Sequence, residues 1–342
     1  MVDSTYDLIP RLKAAWRQHY PADPPTWTPS NDMPDLTGKV VFITGGSTGI
    51  GFEMCKALLL KGATVYLAGR HSPRAQIAIH TLNTLGRGVL KSIELDLASL
   101  DSTRTAAEEF LSQESKLDIF INNAAEYLPP VEMMTSDGYD LVFGVNCVAA
   151  CFLTLCLLPC LLKTPNARVV NMASETHRWI QRIDYSAVVE GEKRRQMDPL
   201  VNYGQSKLGL MLFTNEIHRR YHKQGLVAVS LHPGTIKTNC YKHKPVWLAS
   251  VLHLFMYPAS MGAITPLWAA TSGEDLGGRY CLPWARVGLA EKWAEDPERM
   301  KELWSWIIDQ TDQFQPSIRQ FEKNSFLALF SQYVMIDCPT RT

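Results

Sequence analysis

Val40-Val41-Phe42-Ile43-Thr44-Gly45-Gly46-Ser47-Thr48-Gly49-Ile50-Gly51 is the stretch that decides the fold. Val40 to Ile43, rich in β-branched side chains, read as a short buried strand, and the glycines after Thr44 end it in a turn. Phe52 to Leu60 then reads as a helix, Lys61-Gly62-Ala63 as its exit, and Thr64-Val65-Tyr66-Leu67-Ala68 as a second strand. Strand, glycine-rich turn, helix and strand in succession form the unit that seats a pyrophosphate on a helix N-terminus. Within it Gly45 turns the chain sharply, Gly49 permits close backbone approach to the phosphates, and Gly51 lets helix and strand pack closely. A glycine cluster alone is a weak signal, and its place between a strand and a helix gives it weight.

The second strand runs into Ala68-Gly69-Arg70-His71. A site for NAD calls for a carboxylate here to hold the ribose 2′-hydroxyl, and residues 65–74 contain no Asp or Glu. Arg70 is placed instead to meet a 2′-phosphate, with Arg74 in support, so the expected cofactor is NADP(H). Further along, a third strand is expected at Ser92–Leu97 and a helix carrying Thr103, Ala106, Ala107, Phe110 and Leu111. A fourth strand, Asp118–Ile121, leads into Asn122-Asn123-Ala124-Ala125. Arg168–Met172 reads as a fifth strand delivering Ala173-Ser174. Val227–Leu231 reads as a sixth, ending in His232-Pro233-Gly234-Thr235-Ile236-Lys237-Thr238. This alternation predicts an α/β fold, a doubly wound parallel sheet of Rossmann type with helices on both faces. We expect a single domain over 38–285, with an N-terminal extension (1–37) and a C-terminal helical extension (286–342). Ligands of such sheets sit outside the carboxyl ends of the strands, where Asp96-Leu97 and Asn123-Ala124 fall.

Tyr203 and Lys207 lie four residues apart in Val201-Asn202-Tyr203-Gly204-Gln205-Ser206-Lys207, so on a helix they share one face. An ammonium beside a phenol stabilises the phenolate and moves a group of ordinary pKa about 10 toward acid–base work near neutrality. None of the other tyrosines has a Lys four residues on. Asn146 opens a segment, running to Leu162, that is otherwise apolar, and it should therefore find hydrogen-bond partners.

The 342-residue chain has zero formal net charge, 46% apolar and 20% charged residues, which suits a globular protein and argues against a nucleic-acid partner. Its cysteines (55, 147, 151, 156, 160, 240, 281, 338) follow neither a disulfide framework nor a zinc-ligand spacing, so no metal is expected and the thiols read as free. Charged residues among Met1–Tyr20 exclude a secretory signal there. Leu8, Leu12 and Trp16 fall on one face of a short helix, and the proline-rich run from Pro21 to Pro29 reads as an extended arm. Val148–Leu162 is too short to span a membrane and carries Pro159, which is expected to cut it. Trp247–Ala270 is interrupted by His253, Pro258, Ser260, Gly262 and Pro266, so a span is not expected, while docking on a lipid surface stays open. The expected location is cytoplasmic, with or without association at a lipid surface. Gln181–Pro199 reads as a polar surface excursion.

With the glycine turn, Asn123, Asn146, Ser174, Tyr203 and Lys207 in this order, the chain resembles a short-chain dehydrogenase/reductase over roughly residues 37 to 285. Tyr203–Gly209 and Leu231–Thr238 resemble the retinol-dehydrogenase-like branch and its fungal relatives. Ala125 stands where the family commonly has Gly, and Ala173 where Ser often precedes the catalytic Ser. The resemblance implies that Ser174 holds the substrate oxygen, Tyr203 exchanges its proton, Lys207 assists Tyr203 and binds the nicotinamide ribose, and Asn146 holds a water that links Lys207 to solvent. It also implies cofactor contacts from Gly45, Ser47, Thr48, Gly49, Ile50, Gly51, Arg70, Asp96, Leu97, Asn123, Ala124, Tyr203, Lys207, Ile236 and Thr238. His177 either touches substrate or supports the site, and the supporting role is preferred. Substrate choice is expected from Tyr127–Met134, Thr176–Pro199 and Cys240–Pro258, the last apolar enough to suit a lipophilic alcohol or ketone, or else to form a lid or subunit interface. The C-terminal residues Trp293, Leu303, Trp304, Trp306, Ile307 and Phe326–Phe330 cap the pocket or mediate homo-oligomer assembly. The expected reaction interconverts an alcohol with a ketone or aldehyde, as a tailoring step in fungal specialised metabolism or as a housekeeping lipid or retinoid-like reduction. A sensor or scaffold that binds NADP(H) without turnover is the reading from another class, and it has no need of all four catalytic groups.

Overall fold

The computed structural model describes residues 24–237 and 256–315. The short helix around Leu8–Trp16, residues 21–23 of the arm, Thr238, residues 240–255 of the last substrate segment and the run Phe326–Phe330 lie outside the described residues. Strands β1 (Val40–Thr44), β2 (Thr64–Gly69), β3 (Val89–Glu94), β4 (Ile119–Asn122), β5 (Arg168–Met172), β6 (Val227–Leu231), β7 (Tyr280–Leu282) and β8 (Arg286–Gly288) form one sheet in the order β3-β2-β1-β4-β5-β6-β7-β8. Every neighbouring pair is parallel except β7 with β8. The order reverses between β1 and β4, which makes the crevice beside the carboxyl ends of these strands the place for a ligand.

The helices are α1 (Gly49–Leu60), α2 (Pro73–Asn83), α3 (Leu100–Gln113), α4 (Leu141–Lys163), α5 (Glu192–Gln196), α6 (Pro199–Tyr221), α7 (Ala259–Gly262), α8 (Ile264–Thr271) and α9 (Pro297–Thr311). Alternate residues of β1 face opposite cores. Val40 and Phe42 pack with Phe110 of α3, Phe152 of α4, Phe213 of α6 and Trp304 of α9. Val41 and Ile43 pack with Met54 and Leu58 of α1 and Leu267 of α8. Helices therefore cover both faces, as a parallel sheet buried on both sides requires. The hairpin β7–β8 straddles residue 285, and α9 stacks Trp304 on Phe213 with ring centroids 5.3 Å apart, so residues 286–315 share the same core.

Three expectations are corrected. Pro159 lies inside α4 rather than ending it. Its missing N–H costs about 3 kcal/mol, which burial of Phe152, Leu153, Leu155, Leu157 and Leu158 at roughly 1.5–3 kcal/mol each outweighs. Among the described residues α4 is the one helix long and apolar enough to cross a membrane, yet it is wholly buried and is a core helix. Strand β3 begins three residues before the expected Ser92, leaving Asp96 and Leu97 in the turn beyond it. The stretch 181–199 is not simply surface, since Ile183, Ala187, Val188 and the whole side chain of Arg194 are buried. Helix α6 begins at Pro199 because Asp198 caps it through Leu200 N at 2.7 Å and proline suits its first position.

Candidate active site

At the end of β1, Gly45 (φ +68°) and Gly49 (φ +54°) occupy left-handed backbone that favours glycine. A Cβ on Gly51 would lie 2.3 Å from Gly45 O and 2.7 Å from Asn123 Nδ2, so α1 meets the turn at a distance only glycine permits. Asn123 fixes the turn from β4: its Nδ2 donates to Thr44 O at 2.9 Å and to Gly45 O at 3.3 Å. Its backbone N–H and that of Ala124 donate to Thr44 Oγ1, both at 3.0 Å. The N-cap Thr48 makes no side-chain capping bond, and the first turn of α1 holds no acidic residue. The helix thus presents unmet N–H groups and positive dipole to the crevice, a cradle that fits a dinucleotide pyrophosphate. Gly262 lets α7 close against this end, because a Cβ there would meet Ile236 Cγ1 at 2.8 Å and Ile50 Cγ1 at 2.9 Å. Ile236 is thereby brought to the start of α1.

Arg70, with a side chain 63% exposed at the end of β2, has Nη2 3.8 Å from Glu126 Oε1, and Arg74 is exposed on α2. Asp96 caps its own turn through Ala98 N at 3.0 Å, and Leu97 is buried beside it. Ser47, Thr48 and Ala124 line the half-buried mouth of the same crevice.

The catalytic candidates converge from three elements onto α6. Lys207, 3% exposed, donates from Nζ to Met172 O at 2.8 Å, at the end of β5 just before Ala173-Ser174. The same Nζ lies 5.5 Å from the centroid of the Tyr203 ring. Gly204 allows the helix to approach the turn after Ser174, where a Cβ would come 3.2 Å from Thr176 O and 2.6 Å from Ile180 Cγ1. Gly209 does the same toward Cys147 Sγ, at 2.6 Å. Asn146 sits in a π-helical turn of α4, Gly144–Ala149, and is 1% exposed. Its Oδ1 accepts from Glu126 N at 2.8 Å, while its Nδ2 donates to Glu126 O at 2.9 Å and to Ser206 Oγ at 3.1 Å. Both amide hydrogens are therefore in use. Ser206 Oγ in turn donates to Tyr203 O at 2.7 Å. Ser174 caps the 3₁₀ turn Glu175–Trp179, accepting from Thr176 N at 3.3 Å.

His177 is fully buried, its Nδ1 is 2.7 Å from Ser174 O, and its ring meets Tyr280 edge-on at 4.9 Å. Burial pushes its pKa down, so the ring is neutral and donates from Nδ1. The composition and motif reading does not single out Glu175, which is 3% exposed beside Ser174. It accepts from Arg178 Nε and from Tyr280 Oη at 3.0 Å, and Arg178 goes on to Glu291 Oε1 at 2.7 Å. Burial and the Glu175 carboxylate hold the Tyr280 hydroxyl protonated well beyond its ordinary range, which keeps it a donor. Tyr127 is likewise missed as an individual; its ring stands edge-on to Tyr203 with centroids 4.8 Å apart. No sequence signal marks either residue, since a buried carboxylate and a loop tyrosine look ordinary in one chain.

A phosphate-ready turn and a Tyr–Lys pair at one edge of a doubly wound sheet define the class, a nucleotide-binding α/β oxidoreductase. Comparison makes it particular. A family model described as short chain dehydrogenase matches residues 39–248. A short-chain dehydrogenase/reductase of Armillaria gallica is 43% identical over 289 residues, covering 83% of this chain and 93% of that one. The short-chain dehydrogenase/reductase sthC of Phaeosphaeria nodorum is 35% identical over 274 residues, covering 75% and 85%. The crystal structure of an uncharacterised protein from Mycobacterium paratuberculosis superposes with TM-score 0.66 at 30% identity, covering 84% of this chain and 97% of that one. The chain belongs to the short-chain dehydrogenase/reductase family, oxidoreductases that act on CH–OH groups of small molecules with a nicotinamide cofactor, and it groups with fungal members.

Proposed function

We propose that the protein is an NADP(H)-dependent oxidoreductase that interconverts an alcohol with its ketone or aldehyde, with Tyr203 as the general acid and base. The observation that carries this reading is the placement of Lys207 Nζ, 2.8 Å from Met172 O and 5.5 Å from the Tyr203 ring, next to the Ser174 turn. Gly45, Ser47, Thr48, Gly49, Ile50 and Gly51 would hold the pyrophosphate, Arg70 the 2′-phosphate, Asp96 and Leu97 the adenine end, and Ile236 and Thr238 the nicotinamide end. Bound there, the cofactor supplies or accepts the hydride. Ser174 Oγ holds the substrate oxygen by a hydrogen bond. Tyr203 Oη gives that oxygen its proton in reduction and removes it in oxidation. The Lys207 ammonium stabilises the phenolate that forms. Asn146 has committed both N–H groups to Glu126 and Ser206, so any water relay from Lys207 uses its remaining Oδ1 lone pair or a carbonyl loosened by the π turn. Tyr127, edge-on to Tyr203, gives the reacting oxygen an aromatic neighbour and supports a lipophilic substrate. The fungal origin of the relatives favours a tailoring step in specialised metabolism over a housekeeping reduction.

NADPH consumption measured over a panel of carbonyl compounds tests the assignment. Tyr203→Phe should lower kcat by about 10²–10⁴, the usual worth of general acid–base catalysis. Equal rates for the two proteins would sink the catalytic role of Tyr203, and no NADPH consumption by the wild type with any carbonyl would leave a cofactor-binding protein. Arg70→Ala tests the cofactor: losing a charge-assisted bond of about 1.5–3 kcal/mol should raise the KM for NADPH roughly tenfold or more and leave that for NADH alone. A parallel change for both cofactors would remove Arg70 from the 2′-phosphate site.

A further inference from the structure

Arg194 has the largest fully buried side chain among the described residues, at 2% exposure, and it lies on the five-residue helix α5 between Ser174 and Tyr203. A guanidinium there needs a reason, because arginine is almost never fully buried unless it is paired. Its fork reaches three parts of the chain. Nη1 donates to Val131 O, within the loop Tyr127–Met134 that faces Tyr203 through Tyr127. Nη2 lies 3.1 Å from Glu190 Oε2, on the same excursion. Nη1 also stands 3.8 Å from Asp140 Oδ2. Asp140 is 5% exposed and is the N-cap of α4, accepting from Val142 N at 3.0 Å and Phe143 N at 3.1 Å, six residues before Asn146. The first turn of α4 that Asp140 caps, Leu141–Phe143, packs against α6, the helix on which Asn202 immediately precedes Tyr203. Asn202 Oδ1 accepts from Gln205 Nε2 at 3.0 Å, and Gln205 Oε1 accepts from Asp184 N at 2.6 Å, which joins this part of α6 to the excursion.

We propose that Arg194 is a positioning residue that ties the substrate loop Tyr127–Met134 to the catalytic helix, through Val131 O on one side and, on the other, the N-cap Asp140, whose helical turn packs against α6. It touches no reacting atom. Its fork sets the distance between the loop that faces the substrate and the helix that carries Tyr203, so it acts on substrate fit and not on the proton transfer. A lysine in its place keeps the charge but has a single ammonium, which cannot bond Val131 O and Glu190 in the fixed directions of the guanidinium while standing beside Asp140.

The inference rests on the catalytic reading for its kinetic part only, and hydrogen–deuterium exchange tests the linkage without turnover. In Arg194→Lys, exchange should rise across Tyr127–Met134 and Asp198–Tyr203, while Thr44–Gly51 stays as protected as in the wild type. Asp140→Asn, which keeps a good N-cap but removes the anion, should loosen the same segments to a smaller degree and guards against a lysine variant that fails to fold. Steady-state rates should show the KM for the carbonyl raised about tenfold in Arg194→Lys with kcat and the KM for NADPH within about twofold, the split expected when substrate binding alone is weakened. Unchanged exchange at Tyr127–Met134 in both variants, or a rise spread evenly over the chain, overturns the proposal. So does a fall in kcat with KM unmoved. Local loosening in the two variants together with no carbonyl turnover by the wild type would refute the catalytic reading and keep the linkage.

Discussion

Where Thr44–Gly51 meets Asn123, the contacts are made largely with backbone: Gly51 against the Gly45 carbonyl, and the Asn123 amide against that carbonyl and the Thr44 carbonyl. Around Ser174 and Tyr203 they run through charged side chains, Glu175 with Arg178 and Arg194 with Glu190 and Asp140. The two halves of one crevice are therefore built on different principles. On the proposed function, backbone geometry serves a ligand part that does not vary, the pyrophosphate, and leaves no room for a side chain to change it. Ion pairs among side chains brace the other half, outside the strands of the sheet. This division lets one fold keep its cofactor and change its substrate.

The comparison breaks most readily at Glu175. Glu175→Ala takes from Arg178 its buried carboxylate, leaving it Glu291 and the Leu289 carbonyl, and strips Tyr280 of its acceptor; breaking a buried pair from one side costs about 3–5 kcal/mol. Urea denaturation should show that loss, with Glu175→Gln recovering part of it because an amide still accepts from Tyr280. If Glu175→Ala melts like the wild type, side-chain pairing is not what holds the substrate half.

On the cofactor side the test is a single methyl group. Gly51→Ala places Cβ 2.3 Å from Gly45 O, so the turn or α1 has to move, at about 1–3 kcal/mol for an overpacked site. Gly69→Ala is the control at the end of β2: nothing lies within 4 Å of its Cβ, and its stability should stay within about 0.5 kcal/mol of wild type. Fluorescence titration with NADPH should show weaker binding in Gly51→Ala. Equal binding and equal melting in the two variants would mean the close approach at Gly51 does no work.

How much of this was legible in the chain follows the same division. The turn is legible because its physics is local: a strand, glycines 45, 49 and 51 and a helix follow one another between Val40 and Leu60, and a glycine states a backbone requirement by its presence. Tyr203 and Lys207 are legible because a helix converts a spacing of four into proximity. Asn146 is legible as a polar residue in an apolar run, although its partners, Glu126 and Ser206, are 20 and 60 residues away and leave no mark of their own. Arg194 and Glu175 are illegible for the opposite reason. In a stretch such as Glu190-Gly191-Glu192-Lys193-Arg194-Arg195-Gln196, charge density reads as surface, and only the fold reveals which of several arginines turns inward. Pro159 misleads in a related way, since the local rule against proline in a helix is overridden by burial that the rule does not contain.

Acid separates the two halves by a narrower margin than either substitution. His177 holds its proton on Nδ1, donating to Ser174 O, and its buried Nε2 has no partner. Protonating Nε2 would create a buried charge with an unmet N–H, which is why burial depresses its pKa below the ordinary 6.5. His218, at the far end of α6, is depressed in the same direction by burial and by the neighbouring His222. The sign follows: below about 6.5 the unfolded chain binds protons that the native protein refuses, so stability is full above that pH and falls as the pH drops toward the folded values. Taking the protein from about pH 7.5 to about pH 5.5 should therefore lower Tm. Because His177 sits on the substrate half, hydrogen exchange should increase first around Ser174–Ile180 and later, if at all, around Thr44–Gly51. His177→Gln, which cannot take up a proton, should flatten that local response. A uniform acid response over both halves, or one that persists in the glutamine variant, would show that His177 is not the group through which acid reaches the Ser174 turn.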